Sequence, residues 1–255
     1  FPAEFGNKMA AVFDLKLRNG NNEKTEFMSQ LGLNGLEAGI EGPISKKNGS
    51  SFLVNYRYST LKLFQLAGIN FGVSGLPQYQ DLTFKINIPT AKAGVFSLWG
   101  IGGMSKISLL DSEKDSADWS FTDSGEDLIF GSKMGVIGLS HLYFFSDKTS
   151  WKLNLSVSRT QFNVTIDTLS ANNIPYRVFT NNSKDGQYFA NYTLTSKISS
   201  HHLIKAGVTV KNIFFDYSKR QCPACNYLNC YFLFFVKCNS RETRSAFWIK
   251  AVRLF

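Results

Sequence analysis

Trp151-Lys152-Leu153-Asn154-Leu155-Ser156-Val157-Ser158 is the stretch from which the fold can be predicted. Its apolar side chains occupy every second position, with polar side chains between them. Because a β-strand turns successive side chains to opposite faces, this stretch predicts a strand with one apolar and one polar face. The apolar face either covers the core of a soluble β-protein or meets lipid as the wall of a membrane barrel with a polar lumen.

The composition narrows the class of protein. The 255 residues are 44% hydrophobic and 15% aromatic, which is too apolar for a disordered chain. No stretch approaches the roughly 18 apolar residues of a membrane helix. The formal charge is +9, but the excess is concentrated after Ser218. We find no basic stripe with interleaved aromatic residues, so we expect no nucleic-acid partner.

The lengths of the connections alternate along the chain. Short turns are predicted at 43–50, 89–93, 146–149 and 199–201, and long connections at 59–78, 104–127 and 167–185. An up-and-down sheet then has its short turns at one edge and its long loops at the other, as outer-membrane barrels do. We therefore predict an all-β fold, a partial antiparallel up-and-down transmembrane β-barrel with about nine strands of a larger barrel. Its long, acidic connection at 104–127 predicts a solvated external loop.

Aromatic residues near the ends of the predicted strands suit an interfacial girdle. They are Tyr79, Tyr143, Phe144, Trp151 and Tyr188. Polar residues on the wet faces of the same strands predict a lining for the lumen, or contacts with a plug inside it. These candidate site residues are Asn55, Arg57, Lys85, Asn87, Lys152 and Asn154.

The order and spacing of several segments carry a family resemblance. The segments are Phe1–Asn7, Val12–Arg18 followed by Gly20-Asn21, Leu36–Pro43, Phe52–Ser59 and Tyr79–Lys85. Together they resemble the region of TonB-dependent outer-membrane receptors where the plug domain ends and the barrel begins. The likeness is to receptors with an N-terminal carboxypeptidase-regulatory-like domain, and it extends over about Phe1 to Tyr217.

The resemblance implies a barrel of about 22 strands around a plug, so the chain is expected to be an internal fragment. Residues 1–24 would be the end of the plug, with its last strand at 13–18, and a linker. Residues 25–217 would be the N-terminal part of the barrel. The implied location is the outer membrane of a Gram-negative bacterium.

The implied function is energy-coupled uptake of a scarce or bulky nutrient, without enzymatic chemistry and without a cofactor. The implied partners are outer-membrane lipid, the TonB complex acting through more N-terminal parts of the receptor, the nutrient, and a surface lipoprotein. A passive outer-membrane channel and a soluble β-rich binding or adhesion module are the alternatives. His141, His201 and His202 lack metal-ligand spacing, and no serine has a Gly-x-Ser-x-Gly context, so we expect neither a metal nor a catalytic site.

The pattern changes at residues 218–255, a basic tail that contains all of the cysteines. These are Cys222, Cys225, Cys230 and Cys238. Our hypothesis for this tail is a frameshift or a sequencing error near residues 219–221, with the rest read in a wrong frame. A zinc or iron–sulfur site is the competing interpretation, but a second Cys-x-x-Cys or a His pair is lacking.

Overall fold

The computed structural model describes residues 10–32, 35–59, 61, 75–113, 125–170, 172–199, 201–221 and 234–253, with side chains as far as residue 218. These residues form one antiparallel sheet whose ten strands lie in sequence order. The strands are β1 (Glu26–Gly32), β2 (Gly35–Ser45), β3 (Ser50–Tyr58), β4 (Gln78–Thr90), β5 (Gly94–Leu110), β6 (Glu126–Ser146), β7 (Thr149–Leu169), β8 (Pro175–Lys197), β9 (His202–Gln221) and β10 (Phe234–Arg253). The predicted all-β, antiparallel, up-and-down architecture is confirmed. Among the described residues, no helix has the length and apolar character needed to cross a membrane.

Continuous register gives the sheet two chemically different faces. The cross-strand row through Asn154 is Ser51, Asn87, Ser97, Ser140, Asn154, Asn191 and Thr209. The adjacent row is Phe52, Ile86, Leu98, Leu139, Leu155, Ala190 and Val210. Because neighbours along a strand point to opposite sides, we name the side of the first row the polar face and the side of the second row the apolar face.

The apolar face is not covered by any described element. Leu155 is 41% exposed and Leu139 is 44% exposed, although both lie in the middle of the sheet. Leu169, with 5% exposure, is the one buried hydrophobic side chain among the described residues. A contiguous exposed apolar surface of this extent marks a site that contacts another protein layer or a membrane.

The described residues do not close the sheet into a barrel. β1 pairs only with β2, and β10 pairs only with β9, within the described part of the chain. The sheet therefore has two open edges, and an open edge presents unpaired backbone groups to further strands.

Two sequence-based predictions about strands are wrong. Residues 11–21, which include the predicted strand at 13–18, lie outside the sheet, and Phe13 is 87% exposed. Alternation alone does not form a strand, because a strand also needs a neighbour with which its backbone can pair. The long connection expected at 167–185 is shorter, since β7 continues to Leu169 and β8 begins at Pro175.

Part of the predicted tail continues the sheet. The backbone of β10 pairs with β9 from Phe234 opposite Gln221 to Arg253 opposite His202. Cys222, Cys225 and Cys230 lie outside the described residues, as do Phe1–Asn7. The frameshift hypothesis therefore stays a prediction.

Candidate functional site

All of the predicted lumen residues lie on the polar face. Asn87 and Asn154 belong to the row of polar residues that crosses β3 to β9, and Asn55, Arg57, Lys85 and Lys152 lie on the same side of their strands. Within the row, the Ser97 hydroxyl donates to Asn87 Oδ1 at 2.8 Å and Asn191 Nδ2 donates to Thr209 Oγ1 at 2.8 Å. The row is thus a hydrogen-bonding surface that runs across the sheet.

Two of the predicted residues form cross-strand pairs near the long-loop edge. Arg57 Nε donates to Asp81 Oδ2 at 2.9 Å, and its guanidinium lies 5.3 Å from the centre of the Tyr79 ring. Asn55 Nδ2 donates to Glu37 Oε1 at 2.7 Å. Asp81 and Glu37 were not predicted from the sequence, because the pairing depends on the register of β2, β3 and β4.

Lys85 contacts a segment outside the sheet. Its Nζ donates to the backbone carbonyl of Leu17 at 2.7 Å. Arg18 donates to both carboxylate oxygens of Glu41 on β2, at 2.5 and 2.7 Å, and the backbone N–H of Asn21 donates to the same carboxylate at 2.9 Å. Residues 17–21 therefore cross the polar face over β2 to β4, and we call them the crossing segment.

The packing of the crossing segment explains its composition. A Cβ on Gly20 would overlap the backbone carbonyl of Phe52, so only glycine allows this close approach to β3. The hydrogen bonds that Arg18 donates to Glu41 raise the pKa of Arg18 above its ordinary value, although burial acts in the opposite direction. Part of the crossing segment was recognised in the sequence, but its contacts with Glu41 and Lys85 were not.

The other two predicted residues lack such a contact. Lys152 is exposed, and no hydrogen bond or ion pair joins it to another described residue. Asn154 is half-buried and lies between Ser140 and Asn191 in the row. Trp99 Nε1 on β5 donates to Ser140 Oγ on β6 at 3.2 Å, so the ring of Trp99 contacts the polar row at Ser140.

An aromatic cluster lies on the apolar face at the short-turn edge. His141 stacks on Phe96 with ring centres 4.3 Å apart and contacts Trp151 edge-on at 5.4 Å. The Trp151 ring also contacts the Tyr192 ring edge-on, with ring centres 5.2 Å apart. Tyr143, opposite Trp151, belongs to the same surface.

The rest of the predicted girdle is divided between the faces. Tyr188 points from the middle of the apolar face, whereas Tyr79 and Phe144 lie on the polar face by register. Tyr79 and Phe144 therefore do not share a face with Tyr143, Trp151 and Tyr188, as a girdle on one face of the sheet would require. The face on which a side chain lies is decided by whether its position is odd or even in the register of its strand. Its distance from the end of the strand does not decide the face.

The apolar surface changes sides toward the long-loop edge. In β5 to β8, the polar face there carries Ile107, Leu109, Leu128, Phe130, Val164, Ile166 and Phe179, in rows that continue the register. We call this part of β5 to β8, beyond Gly103, Met134, Thr160 and Asp185, the extension. Phe130 and Phe162 contact each other there with ring centres 6.1 Å apart.

Two buried carboxylates hold the ends of the connection between β5 and β6. Asp127 accepts hydrogen bonds from the backbone N–H and the hydroxyl of Ser112, at 2.9 and 2.7 Å. Asp111 accepts one from the backbone N–H of Glu126 at 3.2 Å. Asp111 and Asp127 were predicted to be solvated and are instead buried, while residues 114–124 lie outside the described part of the chain.

The polar face presents amide, hydroxyl and charged side chains. In the described residues, no three His, Cys, Asp or Glu side chains are grouped so that they could hold a metal ion. Comparison with protein-family models, curated proteins and solved structures found no match. The polar row, the crossing segment and the apolar face are therefore the features from which a function is inferred.

Proposed function

We propose that this chain forms part of the wall of an outer-membrane β-barrel, in a TonB-dependent receptor that takes up a scarce or bulky nutrient. The apolar face contacts lipid, the polar face lines the lumen, and the crossing segment leads from the plug to the barrel. The protein performs no covalent chemistry. The nutrient binds at the long loops and the plug, and TonB drives the movement of the plug.

The observation that carries this proposal is the uncovered apolar face. A row of seven apolar residues crosses seven strands without a second layer of described residues above it, and its centre is occupied by Leu139 and Leu155. Full burial of one such side chain contributes about 1.5–3 kcal/mol, so water is a costly environment for the whole face. Hydrocarbon removes that cost, and every backbone group within the ladder remains paired.

The crossing segment supports the receptor class. It lies on the face proposed as the lumen wall, and it is held there by Glu41 and Lys85. A chain that enters a barrel wall from a plug must cross the lumen side in this way. A passive channel without a plug has no need for such contacts.

The first experiment measures which face meets lipid. Single cysteines are introduced at Leu155 and Leu139 on the apolar face and at Asn154 and Ser140 on the polar face, with the native cysteines replaced by Ser. Each variant is labelled with an environment-sensitive fluorophore in membranes. We expect labels at 155 and 139 to be quenched by a lipid-bound quencher, and labels at 154 and 140 by aqueous iodide. Equal quenching by iodide at all four positions would contradict the membrane-wall proposal.

The second experiment addresses transport. The gene is deleted in its bacterium, and growth is compared on media in which single nutrients are limiting. We expect a growth defect on one class of nutrient, reproduced when TonB is removed. Unchanged growth on that nutrient after removal of TonB alone supports the passive channel and overturns the receptor assignment.

A further inference from the structure

Exposed lysines lie along the short-turn edge of the sheet. The four turns that join β2 to β3, β4 to β5, β6 to β7 and β8 to β9 contain or adjoin a set of lysines that we call the basic rim. They are Lys46, Lys47, Lys92, Lys148 and Lys197. Asp147 is the one acidic residue among the described residues of these turns, and no ion pair joins a rim lysine to another described residue. The rim therefore presents positive charge that the described part of the chain does not neutralise.

The long-loop edge differs from the rim in charge. Arg57 is ion-paired with Asp81 near that edge, and Arg177 is ion-paired with Asp167. Further carboxylates flank the connection between β5 and β6, namely Asp111, Glu113, Glu126 and Asp127. A surface that is charged only for solubility carries both signs interspersed. Unpaired cations gathered at one edge therefore indicate an anionic partner at the short turns.

The aromatic cluster of the apolar face lies beside the rim. His141 Nε2 donates to the backbone carbonyl of Ala93 at 2.7 Å, which ties the cluster to the turn that contains Lys92. Trp151 lies three residues from Lys148, about 10 Å along an extended strand. Aromatic rings favour the boundary between hydrocarbon and lipid headgroups. Where the apolar face meets lipid, the rim lysines therefore lie at the depth of the headgroups.

The spacing of the rim fits a layer of small anions. The turns recur on every second strand, so neighbouring turns are about 10 Å apart along the edge. The backbone N–H of Lys197 donates to the carbonyl of Lys148 at 2.8 Å, so these two lysines lie side by side. Cations spread over four turns in one line suit many headgroups in a plane better than a single compact ligand.

We propose that the basic rim binds anionic phospholipid headgroups, of the phosphatidylglycerol type, in the periplasmic leaflet. The lysine ammonium groups donate charge-assisted hydrogen bonds to the phosphate oxygens, and the aromatic cluster lies against the adjoining part of the lipid. This inference rests on the proposed membrane location, in which the short turns face the periplasm. It adds a lipid preference at one leaflet, separate from the lumen through which the nutrient passes.

The test measures local lipid enrichment in a bilayer. The full-length protein, with its native cysteines replaced by Ser, carries a fluorophore on Tyr143→Cys, in the aromatic cluster beside the rim. Phosphatidylcholine bilayers contain a small fraction of either phosphatidylglycerol or phosphatidylcholine with brominated acyl chains, which quench on contact. We expect brominated phosphatidylglycerol to quench as if enriched about fivefold around the label, because one cation near an anionic headgroup is worth about that factor. Half-molar salt should reduce the enrichment by screening.

Two triple variants separate the rim from charge in general. Lys92→Gln/Lys148→Gln/Lys197→Gln removes the exposed rim lysines of β4 to β9, and the preference for phosphatidylglycerol should disappear. Lys106→Gln/Lys133→Gln/Lys184→Gln removes the same charge from the long-loop half of the apolar side, and the preference at Tyr143 should remain.

Each outcome has a defined meaning. Equal quenching by the two brominated lipids overturns the rim proposal and leaves the membrane wall intact, as does an equal loss of preference in both triple variants. Co-sedimentation with purified peptidoglycan that depends on the rim lysines, without a lipid preference, overturns it in favour of contact with the cell wall. Absence of quenching by either lipid at Tyr143 overturns the membrane wall itself.

Discussion

Strand β7 is amphipathic in two opposite senses. In the centre of the sheet Leu153 and Leu155 lie on the apolar face, whereas in the extension Val164 and Ile166 lie on the other side, in the same continuous register. Between them Arg159 ends the apolar run, and beyond it Asn163 and Thr165 occupy the side that was apolar. The apolar side of a strand therefore need not be the same along its whole length. Such a change of side is expected where the medium on each side of the sheet changes along the strand.

The inversion fits the proposed membrane location. In that location, hydrocarbon outside and water inside favour outward apolar residues in the centre of the sheet. Beyond Arg159 the outer side would be wet, and the apolar side chains of the extension, where Phe130 and Phe162 contact each other, would face the interior. The central sheet and the extension should then respond differently to the same substitution.

The largest difference is expected for a charge on the apolar side of β7. Leu155→Arg should destabilise the protein by about 2–4 kcal/mol, the cost of arginine on the lipid face near the midplane. Thr165→Arg, ten residues further along on the same side, should change stability by less than about 0.5 kcal/mol, because it lies in the wet extension. Equilibrium unfolding by guanidinium in phospholipid bilayers measures both. Similar costs at the two positions would show that both regions meet the same medium.

A smaller effect is expected where the extension ends. Asp127→Ala removes the acceptor from both the backbone N–H and the hydroxyl of Ser112, which should cost about 2–3 kcal/mol of local stability. Hydrogen exchange of peptides covering 105–113 and 125–132 should therefore accelerate, while exchange in 150–158 stays slow. Glu113→Ala is the control, because Glu113 is an exposed carboxylate in the 3-10 helix Asp111–Glu113, which also contains Ser112. Acceleration throughout the sheet would mean that the extension and the centre unfold as one unit.

Particular residues show which strands and faces can be predicted from the sequence. Alternation in 151–158 predicts β7 and both of its faces, and the same rule places Asn55, Arg57, Lys85 and Asn87 on the side where the structure has them. The rule fails at 167–185 because the apolar residues change to the other side within β7. Asparagines then follow in the chain, and asparagine is a weak strand former. It fails at 13–18 because the pattern carries no information about a pairing partner.

One cross-strand row of β5 to β7 shows a different limit of prediction from sequence. Gly102, Gly135 and Arg159 are more than 20 residues apart in the chain, and only the register of β5, β6 and β7 brings them into one cross-strand row. A shift of one residue in β6 would send Gly135 to the polar face. Which residues share such a row therefore depends on how the strands pair. It can be predicted from the sequence only after the register is known.

Glycines on β6 offer a finer comparison between the two faces. A Cβ on Gly138 would overlap the ring of Trp99 on the polar face, whereas a Cβ on Gly135 would point into open space on the apolar face. Gly138→Ala should cost about 1–2 kcal/mol through overpacking, because the half-buried Trp99 ring can move only partly aside. Gly135→Ala should leave the unfolding free energy unchanged or raise it by up to about 1 kcal/mol. Unfolding in bilayers again measures both, and an equal cost would mean that the two faces are equally packed at these positions.

The smallest effect is expected for the ion pair that holds the crossing segment. Arg18 is mostly exposed while the Glu41 carboxylate is largely shielded, so their coupling free energy should be about 0.2–1 kcal/mol. A double-mutant cycle of Arg18→Ala and Glu41→Ala, read out by unfolding in bilayers, isolates this coupling from the effect of either change alone. Lys16→Ala and Asp14→Ala, an ion pair between two exposed side chains just before the crossing segment, form the matched cycle. A coupling at Arg18 and Glu41 no larger than in the matched cycle would mean that the other contacts of the segment, those of Leu17 with Lys85 and of Gly20 with β3, keep it on the polar face.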